Sequence, residues 1–171
     1  ESQTALRRIE DKHPGERPGL AVHISNRRDK GHWPLENYKE VIRRYLHEYH
    51  FGSVLIFWSP QGTLAPDDVG DQHRAEQLMA ACQSSRVSLY PTSSIRELVA
   101  AFTHCDRVLC SDGGQMHLAA AVGKSQVVLF SETRIEEWHP WSGQHYCLQA
   151  PSGDCADVSV DDVWDKIQAL H

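Results

Sequence analysis

Short apolar segments alternate with segments of helical periodicity along most of the chain. The apolar segments contain few charges, a pattern that is typical of parallel strands buried on both faces of a sheet. They are bounded by Gly, Pro, Asp or Ser, the residues that most often form turns. Six strands are therefore predicted, at residues 19–25, 52–58, 87–90, 107–110, 126–130 and 146–149.

Helices are predicted between the strands. Apolar residues recur at i, i+3 and i+4 after Pro34, and proline is tolerated in the first turn of a helix. Ser93 or Ser94 caps another helix, and Glu97 is placed for a capping box with Ser94. Gly123 suits the position just after a helix end. The predicted helices cover residues 34–46, 71–83, 94–102, 115–122 and 160–170, with one helical turn within 132–143.

This alternation predicts a sheet with helices on both faces. The predicted fold class is α/β, a doubly wound, mostly parallel six-stranded Rossmann-like sheet. Residues 19–171 form this domain, and residues 1–18 are predicted to be a lead-in or an interdomain linker. In such sheets ligands bind beyond the carboxyl ends of the strands, so we expect the chemistry in the loops at that edge.

Composition narrows the class of protein. The chain has 171 residues and a formal net charge of −6, which argues against nucleic acid as a partner because phosphate binding at scale needs clustered Lys and Arg. No apolar run approaches the roughly 20 residues of a membrane span. Residues 1–17 lack the apolar segment of a signal peptide. Five cysteines without a C-x-x-C pair suggest reduced thiols, so we expect a cytoplasmic protein.

The turn after the fourth predicted strand is the first candidate for chemistry. Asp112, Gly113 and Gly114 join that strand to a helix, and His117 follows in the first helical turn. Unpaired N–H groups at a helix N-terminus bind phosphate, and glycines let the phosphate approach closely. A tight turn whose glycines serve packing explains the same residues equally well. Either Ser111, Asp112 or a glycine caps the helix.

A basic cluster follows the first predicted strand in this acidic chain. Arg27, Arg28 and Lys30 stand at the end of the strand, where they would bind a diphosphate. A solvated run of charges is the alternative interpretation. His32 and Trp33 add a donor and a planar surface, although Trp33 could equally pack in the core.

Metal and nucleophilic sites find little support in the sequence. Asp112, His117, Glu132 and His139 lack a metal-ligand spacing such as H-x-x-x-H, so no metal or other cofactor is predicted. No G-x-S-x-G elbow is present, and no pair of nucleophile and base supports a hydrolase or phosphatase.

Three motifs carry a resemblance to a known family. Residues 112–130, D-G-G-Q-M-H-L-A-A-A-V-G-K-S-Q-V-V-L-F, are similar to D-(S/T)-G-x-x-H-(L/I)-A-A-A-(L/M)-G-x-P-x-V-x-L-F without gaps. Residues 136–141 resemble a W-x-P segment, and residues 30–38 resemble K-x-W-P-x-x-x-(Y/W). In their order along the chain, the three motifs resemble those of glycosyltransferase family nine, the lipopolysaccharide heptosyltransferases. The resemblance covers nearly the whole chain after Pro18.

The resemblance implies one half of a GT-B enzyme, the C-terminal domain that binds a nucleotide-sugar donor, typically ADP-heptose. The N-terminal domain would hold the acceptor and the catalytic base of an inverting, metal-independent transfer in lipopolysaccharide or surface polysaccharide synthesis. The full enzyme would associate peripherally with the membrane, and this chain alone would not catalyse transfer. The donor-binding residues implied are Ser25, Asn26, Arg27, Lys30, Asp112, Gly113, Gly114, Met116 and His117.

The chain departs from the family pattern at positions that bear on the donor. Gly113 replaces a Ser or Thr, and Lys30 lies three rather than two residues before Trp33, with Gly31 as an apparent insertion. Glu132, in S-E-T where the family has G-P-T, would repel a diphosphate. A non-catalytic Rossmann-like binding or interaction module derived from the family is therefore the alternative hypothesis.

Overall fold

The computed structural model describes residues 2–12, 18–60 and 71–171 of the chain. Its helices are α1 (Ser2–Lys12), α2 (Leu35–Glu48), α3 (Gln72–Cys82), α4 (Ile95–Thr103), α5 (Gly114–Ala121), α6 (Ile135–Trp138) and α7 (Val160–Ala169), with short 3₁₀ helices at Asp29–Gly31 and Cys155–Asp157. Its strands are β1 (Pro18–His23), β2 (Ser53–Trp58), β3 (Val87–Pro91), β4 (Arg107–Ser111), β5 (Ser125–Phe130) and β6 (His145–Gln149).

The strands form one parallel sheet in the order β3-β2-β1-β4-β5-β6. The chain builds outward from β1 to β3 and then returns to the other side of β1 to begin its second half at β4. The carboxyl ends of β1 and β4 are therefore neighbours at the topological switch point, where ligands bind in this class of fold. This order confirms the predicted doubly wound, Rossmann-like sheet.

Helices cover both faces of the sheet and form two apolar layers. Helices α2, α3 and α7 pack on one face, toward which Leu20 and Val22 of β1 point. Helices α1, α4 and α5 pack on the other face, toward which Ala21 points. Alternate residues of one strand thus belong to opposite layers. Each fully buried aliphatic side chain contributes about 1.5–3 kcal/mol relative to an exposed one.

The predicted strands and helices agree with the structure to within two residues at each end. Met79 and Ile95 fall at the helical spacing of the apolar faces of α3 and α4 in the sequence, but the two residues are 39% and 70% exposed. On α3 the buried residues are Ala75 and Leu78, and Met79 points beside them toward solvent. Ile95 is the first residue of α4 and lies beyond the packed part of that helix.

The predicted end signals of two helices are present. The Ser94 hydroxyl accepts a hydrogen bond from the Glu97 backbone nitrogen at 3.2 Å, so Ser94 is the cap of α4. The Glu97 carboxylate accepts in return from the backbone nitrogen of Ser93 at 2.9 Å rather than from that of Ser94. Gly123 follows α5 with φ of +70°, the left-handed conformation that glycine adopts without strain.

Candidate functional site

Four loops meet at the carboxyl edge of the sheet, on both sides of the switch point. They follow β1, β4, β5 and β6. Asn26 joins the first two, because its Nδ2 donates to the backbone oxygen of Asp112 at 3.0 Å. Its Oδ1 accepts from the backbone nitrogen of Arg28 at 2.9 Å. The loop after β1 is thereby held against the end of β4.

Gly31 leaves room for this connection. A Cβ on Gly31 would lie less than 3.0 Å from atoms of the Asn26 side chain, closer than real Cβ atoms approach. The Gly31 oxygen also accepts a hydrogen bond from the buried hydroxyl of Ser111 at 2.7 Å. The residue that is an apparent insertion in the sequence motif therefore lets Asn26 contact the end of β4.

The variant Gly31→Ala is expected to displace Asn26 and to lower the free energy of unfolding by about 1–3 kcal/mol, because overpacking breaks hydrogen bonds that hold the loop. Urea unfolding followed by tryptophan fluorescence measures the change. Gly114→Ala is the matched control, since a Cβ on Gly114 meets no atom within 4 Å. Equal stability of the two variants would contradict the role of Gly31.

Helix α5 begins at the switch point without a side-chain cap. Gly113 occupies the N-cap position and makes no side-chain capping hydrogen bond. The predicted alternatives Ser111 and Asp112 have other hydrogen-bond partners. Gly114, the first residue of α5, is exposed. No side chain therefore caps the first backbone N–H groups of α5, and the helix dipole favours an anion there.

Asp112 is a nearly buried carboxylate with two partners. Its Oδ2 lies 3.3 Å from the Arg28 guanidinium, and its Oδ1 lies 3.4 Å from the Ser131 hydroxyl. The same guanidinium donates to the hydroxyl of Thr133. Arg28 thus connects the loops after β1, β4 and β5, and its charge is balanced by Asp112.

Lys30 forms an ion pair with Glu132 across the same edge. The Nζ and Oε1 atoms are 2.6 Å apart. The hydrogen bond and charge of Glu132 raise the pKa of Lys30, and those of Lys30 lower the pKa of Glu132. The sequence suggested that Lys30 would contact a phosphate and that Glu132 would repel it. The structure brings the two side chains together.

The remaining residues predicted to bind a donor lie in different environments. The hydroxyl of Ser25, which is half-buried, accepts a hydrogen bond from the backbone after β2 at 3.1 Å. Arg27 is exposed. His117 is half-buried on α5, with its ring 6.4 Å from that of Trp141. Met116 is 2% exposed and packs in the apolar layer between α5 and the sheet.

Trp33 and Arg28 differ in what the sequence revealed about them. Trp33 is fully buried, and its Nε1 donates to the backbone oxygen of Val158 at 2.9 Å, so the core interpretation is the right one. Arg28 belongs to the predicted basic cluster but not to the donor-binding residues that the family resemblance implies. Arg28 follows β1 and Thr133 follows β5, so their contact crosses the end of β4, which lies between these two strands in the sheet. No local sequence spacing predicts such a contact.

Comparison with known proteins identifies the family of this fold and site. Residues 1–167 match the sequence pattern of glycosyltransferase family 9 (heptosyltransferase). The chain belongs to glycosyltransferase family 9. Among family 9 enzymes, it is 25% identical over 133 residues to the lipooligosaccharide heptosyltransferase 2 of Haemophilus influenzae, covering 76% of this chain and 36% of that protein. The resemblance drawn from the motifs is thereby confirmed.

Solved structures of family 9 share the fold. The ADP-heptose lipopolysaccharide heptosyltransferase II of Escherichia coli superposes with a TM-score of 0.80 at 18% identity, over 99% of this chain and 50% of that one. The E. coli heptosyltransferase WaaC with ADP gives 0.75 at 20% identity, over 98% and 48%. A family 9 enzyme from Veillonella parvula gives 0.81 at 14%, over 99% and 51%. The chain thus spans about half the length of these solved relatives.

Within residues 2–12, 18–60 and 71–171, no helix is both long enough and apolar enough to cross a bilayer.

Proposed function

We propose that this chain is the donor-binding half of an inverting glycosyltransferase that uses an ADP-heptose-like nucleotide sugar in lipopolysaccharide or surface polysaccharide synthesis. The observation that carries the proposal is the uncapped N-terminus of α5 at the switch point, next to which Asn26 holds the loop that carries Lys30. Relatives of this family support the donor class, because WaaC has been solved with ADP and with ADP-2-deoxy-2-fluoro heptose.

The diphosphate would lie against the first turn of α5. Backbone N–H groups and the helix dipole bind an anion without any titrating group. Negative charge grows on the leaving nucleoside diphosphate as the glycosidic bond breaks, and donors fixed in place stabilise that charge most effectively. Gly113 and Gly114 would let the phosphates approach the backbone, while Lys30 would supply positive charge and His117 a hydrogen-bond donor from the sides.

The other half of the enzyme would supply the rest of the reaction. The chain covers about half of its solved relatives, so the acceptor site and the base that deprotonates the acceptor are assigned to an N-terminal domain. Residues 1–18 would be the lead-in or interdomain linker, whose helix α1 packs against α4, and residues 19–171 the donor domain. This chain alone would bind the donor without transferring the sugar.

Gly114→Ala tests where the diphosphate binds. A Cβ on Gly114 meets no atom within 4 Å, so folding is expected to be unchanged or stabilised by about 0.5 kcal/mol. The same methyl group would stand between a diphosphate and the helix N-terminus, and we expect at least about tenfold weaker binding. Calorimetric titration with ADP, UDP, GDP and ADP-heptose, beside His117→Ala, measures affinity and base preference.

Unchanged ADP affinity in a well-folded Gly114→Ala chain would contradict binding of the diphosphate at α5.

A second candidate function is a module derived from the family that binds without catalysis. The ion pair between Lys30 and Glu132 favours this function, because the carboxylate balances the charge of the lysine. Failure of the wild-type chain to bind any of the four nucleotides would favour that module.

A further inference from the structure

The ion pair between Lys30 and Glu132 is accessible to a ligand. The two side chains are 48% and 64% exposed, and the pair stands at the edge of the site rather than beneath it. Ion pairs exposed to solvent contribute little net free energy, because water screens them and the side chains lose freedom. An incoming anion can therefore replace the Glu132 carboxylate on Lys30.

The backbone on both sides of Glu132 is held in place. The Nε2 of Gln149 donates to the backbone oxygens of Ser131 and Thr133, the latter at 3.0 Å. The Ser131 hydroxyl also approaches Asp112, and the Thr133 hydroxyl accepts from Arg28. Rotation of the Glu132 side chain can therefore move its carboxylate away from Lys30 without breaking these backbone contacts.

The loop after β6 lies against the Glu132 side chain. A Cβ on Gly153 would stand 3.2 Å from Cγ of Glu132, and the φ of +71° at Gly153 is one that glycine adopts without strain. The next residue, Asp154, adds a second carboxylate whose charge acts on Lys30. The surroundings of Lys30 thus place the charges of two carboxylates near its ammonium.

We propose that the Glu132 carboxylate competes with the bound diphosphate for the ammonium group of Lys30. This competition limits how long a nucleotide stays bound. This inference rests on the proposed function and names the residue that sets nucleotide affinity at that site. A diphosphate that contacts Lys30 displaces the carboxylate, which remains attached to the fixed loop nearby. When the diphosphate loosens, the carboxylate returns to Lys30 and favours release of the product.

Glu132→Gln separates charge from shape, because the amide keeps the size of the carboxylate and loses its charge. Most differences in affinity among variants of one site appear in the dissociation rate. We expect ADP to dissociate about three- to fivefold more slowly from Glu132→Gln, the range that corresponds to loss of an exposed ion pair. Stopped-flow displacement of a fluorescent ADP analogue from the 171-residue chain measures this rate.

Two further variants isolate the competition. Glu136→Gln removes one negative charge from an exposed position on α6, in the segment between β5 and β6 that also contains Glu132. ADP is expected to dissociate from this variant at the wild-type rate. In a Lys30→Met background, Glu132→Gln is expected to bring no further slowing, since the contested ammonium is gone. Equal rates for Glu132→Gln and Glu136→Gln, or full slowing without Lys30, would overturn the proposal.

Inorganic pyrophosphate distinguishes failure of this inference from failure of the proposed function. If neither the wild type nor Glu132→Gln binds a nucleotide, the donor-binding function fails. Tighter binding of pyrophosphate by Glu132→Gln than by the wild type and Glu136→Gln would still support competition for Lys30. Equal pyrophosphate affinity in all three proteins would overturn the competition as well.

Discussion

Replacing Trp33 by alanine is expected to lower the free energy of unfolding by about 3–5 kcal/mol, the cost typical of removing a large aromatic side chain from a core. The indole is fully buried, and its ring meets that of Tyr38 edge-on with centroids 5.0 Å apart. Its removal leaves a cavity and deprives the Val158 oxygen of its donor. Urea unfolding followed by circular dichroism measures the change.

Two companion variants show which property of Trp33 matters. Trp33→Phe keeps a ring and removes the Nε1 donor, and it is expected to cost about 1–2 kcal/mol. Trp141 is 85% exposed, so Trp141→Ala is expected to change stability by no more than about 0.5 kcal/mol. If Trp33→Ala cost as little as Trp141→Ala, the core role of Trp33 would be refuted.

The sheet and the position of the site could be predicted because their signals are local. Continuous apolar runs separated by turn residues specify parallel strands, and the alternation with helices fixes the doubly wound class. The edge that carries the site then follows from topology, since every parallel strand ends there. For the same reason Asp112, Gly113 and Gly114 were predicted beside the basic loop after β1, and Asn26 does contact Asp112.

The side-chain pairs at the site could not be predicted, because they join loops that are far apart in sequence. Whether Lys30 meets Glu132 depends on the strand order β1-β4-β5 and on two long side chains, neither of which leaves a spacing in the chain. Gly31 gives no sign in the sequence that the Asn26 side chain fills the space beside it. Met116 belongs to the family motif of residues 112–130, from which a donor-binding role was implied. Its position on α5 instead turns its side chain toward the sheet.

The two ion pairs change which part of the site attracts an anion. Arg28 is balanced by Asp112 and Lys30 by Glu132, so four charged side chains cancel in pairs. The backbone N–H groups at the start of α5 are not neutralised in this way, because Gly113 offers no side chain there. Anion binding in this chain is therefore expected to depend more on the helix N-terminus than on Lys30 and Arg28, although these charges stand out in the sequence.

Lowering the pH from 6.5 to about 4 is expected to remove about 3 kcal/mol of folding free energy through His23. The imidazole is buried at the end of β1, between Phe57 of β2 and Cys110 of β4, and burial lowers its pKa to about 4 from 6.5. The unfolded chain binds this proton at higher pH than the folded chain does. The contribution is therefore complete above pH 6.5 and is lost as the pH falls toward 4.

Other groups with lowered pKa values add to this pH dependence, so the contribution of His23 is taken from the difference between variants rather than from the wild-type slope alone. Burial lowers the pKa of His32 as well, which acts in the same direction, whereas the pKa of Glu40 is lowered to about 2 by Arg43 and Arg44 and acts in more acidic solution. Urea unfolding at a series of pH values between 4.5 and 7.5 measures the slope of stability against pH.

His23→Gln is expected to flatten that slope, because it removes the proton that only the unfolded chain binds readily. The slope, rather than the stability at one pH, is the quantity to compare, since glutamine also changes the packing at the end of β1. His47→Gln replaces an exposed histidine of α2 and should keep the wild-type slope. An unchanged slope in His23→Gln would mean that other groups cause the acid sensitivity and that His23 is not held neutral by burial.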